Sequence, residues 1–209
     1  MRFLFRPRVS LRVLLALMTM LCVWLGYIAK GHRDERRAAE LLKSRGATIL
    51  LDYQDITSGP NGANPTIVTA PVSPIHEYFS HVAMLDISDC NLTEADAESL
   101  SAFSHLEVLW IERSRSPLGA RVLSYLGSVA DLRELDLTGS AVADQDTSTI
   151  ATLPNLGWLC LGSTEVTDSG IDVLAKCSKL QYIDLTGTKV TEQGIRRLQA
   201  ALPSAEIDH

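Results

Sequence analysis

The sequence predicts an α/β solenoid of stacked strand–helix coils behind a helical, membrane-spanning N-terminus, and three observations carry that reading. "LGSTEVTDSGI" (161–171) and "LTGTKVTEQGI" (185–195) nearly repeat each other twenty-four residues apart. Leu85, Leu109, Leu135, Leu159 and Ile183 each open an apolar-x-apolar element, at spacings of 24, 26, 24 and 24. Residues 13–29, "VLLALMTMLCVWLGYIA", carry no charge over seventeen positions. A fixed period of this length marks a repeat architecture, because one coil cannot bury its own apolar face and must stack on neighbours.

From the N-terminus, residues 1–12 form a basic leader with Arg2, Arg6, Arg8 and Arg12. The uncharged run 13–29 stands at the short end of what crosses a hydrocarbon core of roughly 30 Å, with Trp24 and Tyr27 placed as an interfacial belt. The charge bias expects residues 1–12 in the cytoplasm and the repeats outside it, on a single-pass, uncleaved signal-anchor. Tyr27-Ile28-Ala29 puts a bulky residue where a cleavage site wants a small one. Residues 30–46 read as a juxtamembrane helix through Ala38, Leu41 and Leu42, with Gly46 as its stop. Residues 47–82 read as linker and N-terminal cap. "ATILLDY" (47–53) suits a strand, and Pro60, Pro65, Pro71 and Pro74 with Gly59 and Gly62 suit a loop or tether. Ile75, Tyr78, Phe79 and Val82 follow the i, i+3, i+4, i+7 rule of a helix with one apolar stripe, able to close the first coil.

The repeats occupy 83–204. A second inward residue follows each opening one by two positions, as Ile87, Ile111, Leu137, Leu161 and Leu185, the alternation of a strand with one buried face. Three residues on stand Cys90, Ser114, Ser140, Thr164 and Thr188, whose short hydroxyls or thiol suit the backbone groups of a buried turn. Helical spacing then places Leu100, Phe103 and Leu106, Leu126, Val129 and Leu132, Ile150, Leu153 and Leu156, and Leu174, Cys177 and Leu180 against the strands. Thr93, Thr167 and Thr191 stand where N-caps are wanted, each before an acid that favours the positive end of a helix dipole. Asp144 is placed to do the same after Ala143. The second repeat departs, since residues 111–123 hold two extra residues and Pro117, with no Thr-Asp cap, so a bulge with Arg113 and Arg115 is expected. Ile207 falls twenty-four residues after Ile183, and residues 205–209 read as a C-terminal cap.

The stretches "LRELDLTGSAV" (132–142), "LGWLCLGSTEV" (156–166) and "LQYIDLTGTKV" (180–190) resemble the leucine-rich repeat family, whose pattern is L-x-x-L-x-L-x-x-(N/C/T)-x-(L/V). Repeat length and the "VTDSG"-like segment are most similar to its ribonuclease-inhibitor and cysteine-containing subtypes, and the leader is similar to that of bacterial membrane-anchored members. The resemblance implies a right-handed βα coil with a parallel sheet on the concave face and helices on the convex one. It implies no particular activity, because such folds serve many roles.

Residues 1–45 carry ten Lys/Arg against three Asp/Glu, and residues 77–209 carry nine against twenty. A stack near −11 is a poor match for phosphate backbones, which demand clustered positive charge, so no nucleic acid is expected. The histidines, His32, His76, His81, His105 and His209, are scattered, and no metalloprotease, nucleophile-elbow or phosphate-loop motif is present. Cys22, Cys90, Cys160 and Cys177 include no C-x-x-C pair, so free thiols are expected and neither metal nor cofactor is assigned. Asn91-Leu92-Thr93 matches a glycosylation sequon, but Thr93 is better explained as a cap.

Outward strand positions align into columns. One reads Met84, Val108, Glu134, Trp158, Tyr182, and the next reads Asp86, Trp110, Asp136, Cys160, Asp184. Asp86, Trp110, Glu134, Asp136, Trp158, Tyr182 and Asp184 thus compose an acidic surface with aromatic anchors, a composition suited to binding a protein or peptide. The expectation is a non-enzymatic, membrane-anchored binding protein. The alternatives are an envelope scaffold or spacer with no dedicated ligand, and a hydrolase, which the missing site constellations disfavour.

Overall fold

The computed structural model describes residues 11–51, 55–57, 66–68, 81–88, 90, 93–114 and 118–209. A single helix, α1 (Leu11–Ser44), opens the described chain. It leads into β1 (Thr48–Leu51). A separate antiparallel pair, β2 (Asp55–Thr57) and β3 (Thr66–Val68), follows. The solenoid then runs β4 (Val82–Asp86), α2 (Glu94–Ser99), β5 (Val108–Trp110), α3 (Leu118–Tyr125), β6 (Glu134–Asp136), α4 (Asp144–Ile150), β7 (Trp158–Cys160), α5 (Asp168–Leu174), β8 (Tyr182–Asp184), α6 (Glu192–Ala201) and β9 (Glu206–Asp208).

The seven-stranded sheet has the order β1-β4-β5-β6-β7-β8-β9. Leu85, Leu109, Leu135, Leu159, Ile183 and Ile207 pair one to the next along it, all strands from β4 onward being parallel. The first five of these side chains, with Ile87, Ile111, Leu137, Leu161 and Leu185, are buried in one continuous core. Parallel neighbours need a crossover, and each coil supplies it with a short helix. The register predicted from period-two alternation is therefore the register observed.

The crossover helices are shorter than the apolar spacing suggests. Leu100 and Leu126 begin 3-10 turns, α4 and α5 end at Ile150 and Leu174, and the later members of each apolar triple, such as Phe103 and Leu106, are buried in the return segment. A tight turn keeps three-residue spacing on one face just as a helix does.

Turn chemistry repeats with the coil. From the second coil on, the residue four beyond the opening one takes a left-handed backbone: Arg113 (φ 56°), Gly139 (φ 68°), Ser163 (φ 56°) and Gly187 (φ 70°). Glycine meets this demand without strain, and Arg113 and Ser163 do not. One position later, the Thr164 and Thr188 hydroxyls donate to the carbonyls of Leu161 and Leu185, each at 2.6 Å. The Ser140 hydroxyl instead donates to the Ile111 carbonyl of the preceding coil. In the second repeat Arg113 keeps the left-handed position and donates its amide to the Thr138 carbonyl at 2.8 Å. The irregularity thus begins after Arg113, and Arg115 and Pro117 lie outside the described residues, as do Asn91 and the Ile75–Phe79 stripe.

Two expectations for the N-terminal part are corrected. The first is the membrane span. Among the described residues no helix is long and apolar enough to cross a membrane, which overturns the single-pass anchor at 13–29 and the cytoplasmic and extracytoplasmic placement built on it. The physical reason lies in polarity, because the uncharged run sits within a 34-residue helix flanked by Arg12 on one side and by Lys30, His32, Arg33 and Asp34 on the other, so that the helix is not apolar over a full span. Nor is 30–46 a separate helix, since α1 runs unbroken through Lys30, Gly31 and the charged turn that follows. Its C-terminal part is amphipathic, burying Ala38 and Leu42 in the core. Gly46, at φ 100°, ends it. The Ala47 amide donates to Leu42 at 3.0 Å and the Gly46 amide to Lys43 at 3.0 Å, the paired bonds of a Schellman cap.

The second correction concerns 55–74. Residues 55–57 and 66–68 pair as strands inside what the proline content suggests is a loop. Ile56, Thr57, Thr66, Ile67 and Val68 are β-branched, and the prolines fall outside the paired residues.

Candidate functional site

The concave face is built by the outward residues of β4 to β9. Trp158 and Tyr182, on adjacent strands, stack with ring centroids 4.1 Å apart and planes 22° from parallel. Trp158 is 45% exposed, the one large exposed apolar side chain of the solenoid among the described residues. The Tyr182 hydroxyl donates to the Asp208 carboxylate at 2.9 Å, and burial followed by this contact raises the phenol's pKa. Trp110 donates its indole N–H to Glu134 at 2.8 Å. Beside Trp158 opens a cavity of about 730 Å³ lined by Glu107, Arg133, Glu134, Lys179 and Gln181 among others.

The aspartate column has a second duty that the alternation rule does not reveal. One carboxylate oxygen each of Asp86, Asp136 and Asp184 accepts the amide two residues on, from Ser88, Thr138 and Thr186, at 2.8–2.9 Å. These Asx turns end the strands and satisfy buried-edge amides. Each aspartate therefore faces the concave side with its remaining oxygen. Met84, grouped by sequence with the outward column, is buried opposite Leu50 of the antiparallel β1, so the accessible surface begins at Val108. Cys160, between Asp136 and Asp184, has its thiol pKa pushed up to about 12, by burial first and then by those carboxylates. It is a neutral thiol rather than a nucleophile.

On the convex edge the predicted caps take a form the sequence does not show. Thr167 accepts from Ser169 and Thr191 from Gly194, and Thr93 forms a reciprocal capping box with Asp96. Asp144 does not cap α4. Its carboxylate reaches the next coil, accepting from the Thr167 amide (2.8 Å), the Thr167 hydroxyl (2.6 Å) and the Gly170 amide (3.1 Å). Asp168 repeats the reach to the Thr191 amide and hydroxyl, both at 2.8 Å. A Cβ on Gly170 would come within 2.6 Å of Asp144 Oδ1. The Thr-(Asp/Glu)-x-Gly segments 167–170 and 191–194 thus receive a clamp from the aspartate of the preceding coil, which explains glycine four residues after Val166 and Val190.

Three histidines that look scattered in sequence meet at the front of the stack. His32 and His81 stack at 4.6 Å, and His81 and His105 lie at 4.3 Å with planes tilted by 50°. Glu35 Oε1 accepts the Val82 amide at 2.7 Å, Glu35 Oε2 lies 3.0 Å from His81 Nδ1, and His105 Nδ1 lies 3.0 Å from Asp131. His32 has a lowered pKa, through burial and then the neighbouring His81. The only sequence signal was the His32-x-x-Glu35 spacing, which puts both on one helix face.

These features define a strand–helix solenoid with an open concave face. No protein-family model and no curated protein matches the chain. Among solved structures it is similar to an internalin from Listeria monocytogenes (19% identity, 53% of this chain and 30% of that one, TM-score 0.44). It is similar to a leucine-rich repeat protein of Leptospira interrogans (18%, 54% and 33%, TM-score 0.38). A third similarity is to the leucine-rich repeat ectodomain of the receptor kinase SOBIR1 from Arabidopsis thaliana (10%, 84% and 91%, TM-score 0.46). The chain spans about a third of the first two. At these identities the likeness is one of architecture and says nothing of partners.

Proposed function

We propose that the protein is a non-catalytic interaction module whose concave face binds a protein or peptide bearing Lys or Arg. The observation that supports this most is the Trp158–Tyr182 stack, half open to solvent on a sheet that also presents Glu134, Asp136 and Asp184. A stacked indole offers its face to a cation, and the free oxygens of Asp136, Asp184 and Glu134 add charge complementarity. Rigid aromatics carry disproportionate binding energy because little side-chain entropy is lost on docking. Nothing in this reading requires a nucleophile, in keeping with the neutral Cys160 thiol.

Selection of a displayed random-peptide library on the immobilised chain tests it. Peptides enriched on the unaltered protein are expected to be rich in Lys and Arg, to lose at least tenfold in affinity for the Trp158→Ala/Tyr182→Ala double variant, and to weaken as salt rises. Equal enrichment on both proteins would remove the concave face from consideration.

A further inference from the structure

We propose that His32, Glu35 and His81 form a site for a divalent transition-metal ion, zinc being the best fit, that fastens α1 to the first strand of the solenoid. Their donor atoms, one ring nitrogen from each histidine and a carboxylate oxygen, all lie within 4.8 Å of one another. A tetrahedral zinc with bonds of roughly 2.0–2.1 Å separates its donors by roughly 3.3 Å. The Glu35 Oε2 to His81 Nδ1 distance of 3.0 Å already matches that separation. Closing His32 onto this pair from within 4.8 Å takes about 1.5 Å of movement, together with a rotation of its ring out of the stack on His81 so that a nitrogen lone pair points at the ion.

The surroundings are those of a built site. Glu35 is 4% exposed and His32 8% exposed. A carboxylate so buried needs a partner for its charge; His81 Nδ1 supplies it at 3.0 Å, and a metal ion would replace the proton between the two. The Val82 amide holds Glu35 Oε1 at 2.7 Å and so fixes the orientation of the carboxylate that presents Oε2, the outer hydrogen bond that metal ligands characteristically carry. A set of two imidazoles and one carboxylate suits zinc and its neighbours rather than calcium or magnesium, which prefer oxygen alone. The position opposite these donors opens on a cavity of about 550 Å³ lined by Tyr27, Asp34, Ser101 and His105 among others. A water entering from there would complete four-coordination, since His105 Nδ1 is engaged by Asp131 at 3.0 Å.

The consequence is mechanical. His32 and Glu35 belong to α1 and His81 immediately precedes β4, so the ion would close a chain segment of forty-five residues, 36–80, and pin the front of the stack. A ligand present at a hundred times its Kd then stabilises the folded chain enough to raise Tm by roughly 5–10 °C. The site sits at the start of β4, three and four strands along the sheet from Trp158 and Tyr182 on β7 and β8, and does not draw on the proposed partner-binding residues.

Titration of the full chain, purified with chelator, with CoCl2 and then ZnCl2 decides the matter. One equivalent of Co²⁺ is expected to give visible d–d absorption that Zn²⁺ bleaches, with the Tm rise above. His32→Gln and His81→Gln, each confirmed as folded by circular dichroism without metal, are expected to lose both signals, whereas His209→Gln keeps them. In the unaltered chain, long-range ¹⁵N–¹H spectra are expected to show Zn²⁺ moving the resonances of two or three imidazoles and leaving the others in place, a readout that no variant's folding can confound. Absence of binding by the unaltered protein at 100 µM metal, or all five imidazoles shifting together, would overturn the site.

Discussion

The two ends of the solenoid are held by different devices. From β6 to α6 the coils clamp one another: Asp144 grips Thr167 and Gly170, and Asp168 grips Thr191. Lys179 donates to Asn155, which donates to the Ala130 carbonyl, and Arg197 reaches Asp172 at 3.0 Å. At the front the bonds between coils are of other kinds, the Glu112 amide donating to Ser88 Oγ at 3.0 Å and His105 Nδ1 lying 3.0 Å from Asp131, with no aspartate gripping the next coil's helix start among the described residues. There one long helix closes the stack, through Leu42 and Ala38 in the core, an Arg45–Asp96 ion pair of 3.5 Å and the Glu35 bond to Val82. The difference teaches that repetition suffices for stability only where each coil has a like neighbour to grip. A terminal coil lacks one and needs a dissimilar cap.

The comparison can be broken most forcefully at the core common to both regions. Leu135→Ala, at a fully buried central rung, is expected to cost about 3–5 kcal/mol in denaturant unfolding. Leu42→Ala is expected to cost about as much but to act locally, and hydrogen exchange separates them: amides of β1 and β4 should lose protection while those of β7 and β8 keep it. Uniform loss in both variants would mean that front and back are one cooperative unit.

A smaller effect sharpens the contrast between clamp and cap. Asp144→Ala leaves two amides and a hydroxyl of the next coil without their acceptor, and should cost about 2 kcal/mol. Thr93→Ala, which removes only a local cap in the front coil, should cost about 1 kcal/mol. Equal losses would show that the Asp144 bridge adds nothing beyond capping. Smaller still, and of opposite sign, Ser163→Gly should stabilise by about 0.5–1 kcal/mol, because glycine relieves the left-handed backbone that Gly139 and Gly187 already tolerate.

The smallest effect is one of pH. The Thr191 amide and hydroxyl, with Arg197 beyond them, hold the Asp168 carboxyl below its ordinary value of 3.8. A native pKa below the unfolded one means the contribution is fully present above that ordinary value and is lost as pH falls through the lowered native pKa. Acid unfolding of Asp168→Asn should therefore be less steep below pH 3.8 than that of the unaltered chain. Coincident acid limbs would show that this bridge carries no net stabilisation.

Much of this was legible beforehand because it is local and periodic. Alternation at Leu85, Leu109, Leu135, Leu159 and Ile183 places five side chains on one face of successive strands, and Thr93, Thr167 and Thr191 announce helix starts through their own hydroxyls. The outward Trp158 and Tyr182 follow from the same alternation, though not their stacking or the bond from Tyr182 to Asp208. Illegible were the relations across coils. Asp144 reads as a cap for its own helix and serves the next one, and Asp86, Asp136 and Asp184 read as free surface charge while each spends an oxygen on a turn. The expected membrane span rests on local hydropathy alone, and a helix that continues into a buried amphipathic half is not described by residues 13–29.

The amino-acid order by itself determined the period, the inward face of β4 to β8 and the starts of α2, α5 and α6, since these depend on neighbours a few residues apart and on burial of one face. Only the tertiary structure decided that an aspartate would bridge coils, that Met84 would be buried, and that His32, Glu35, His81 and His105 would converge. Hydrogen bonding and metal-ligand geometry act over about 3 Å in space, and stacking turns a separation of twenty-four or fifty residues along the chain into such a distance.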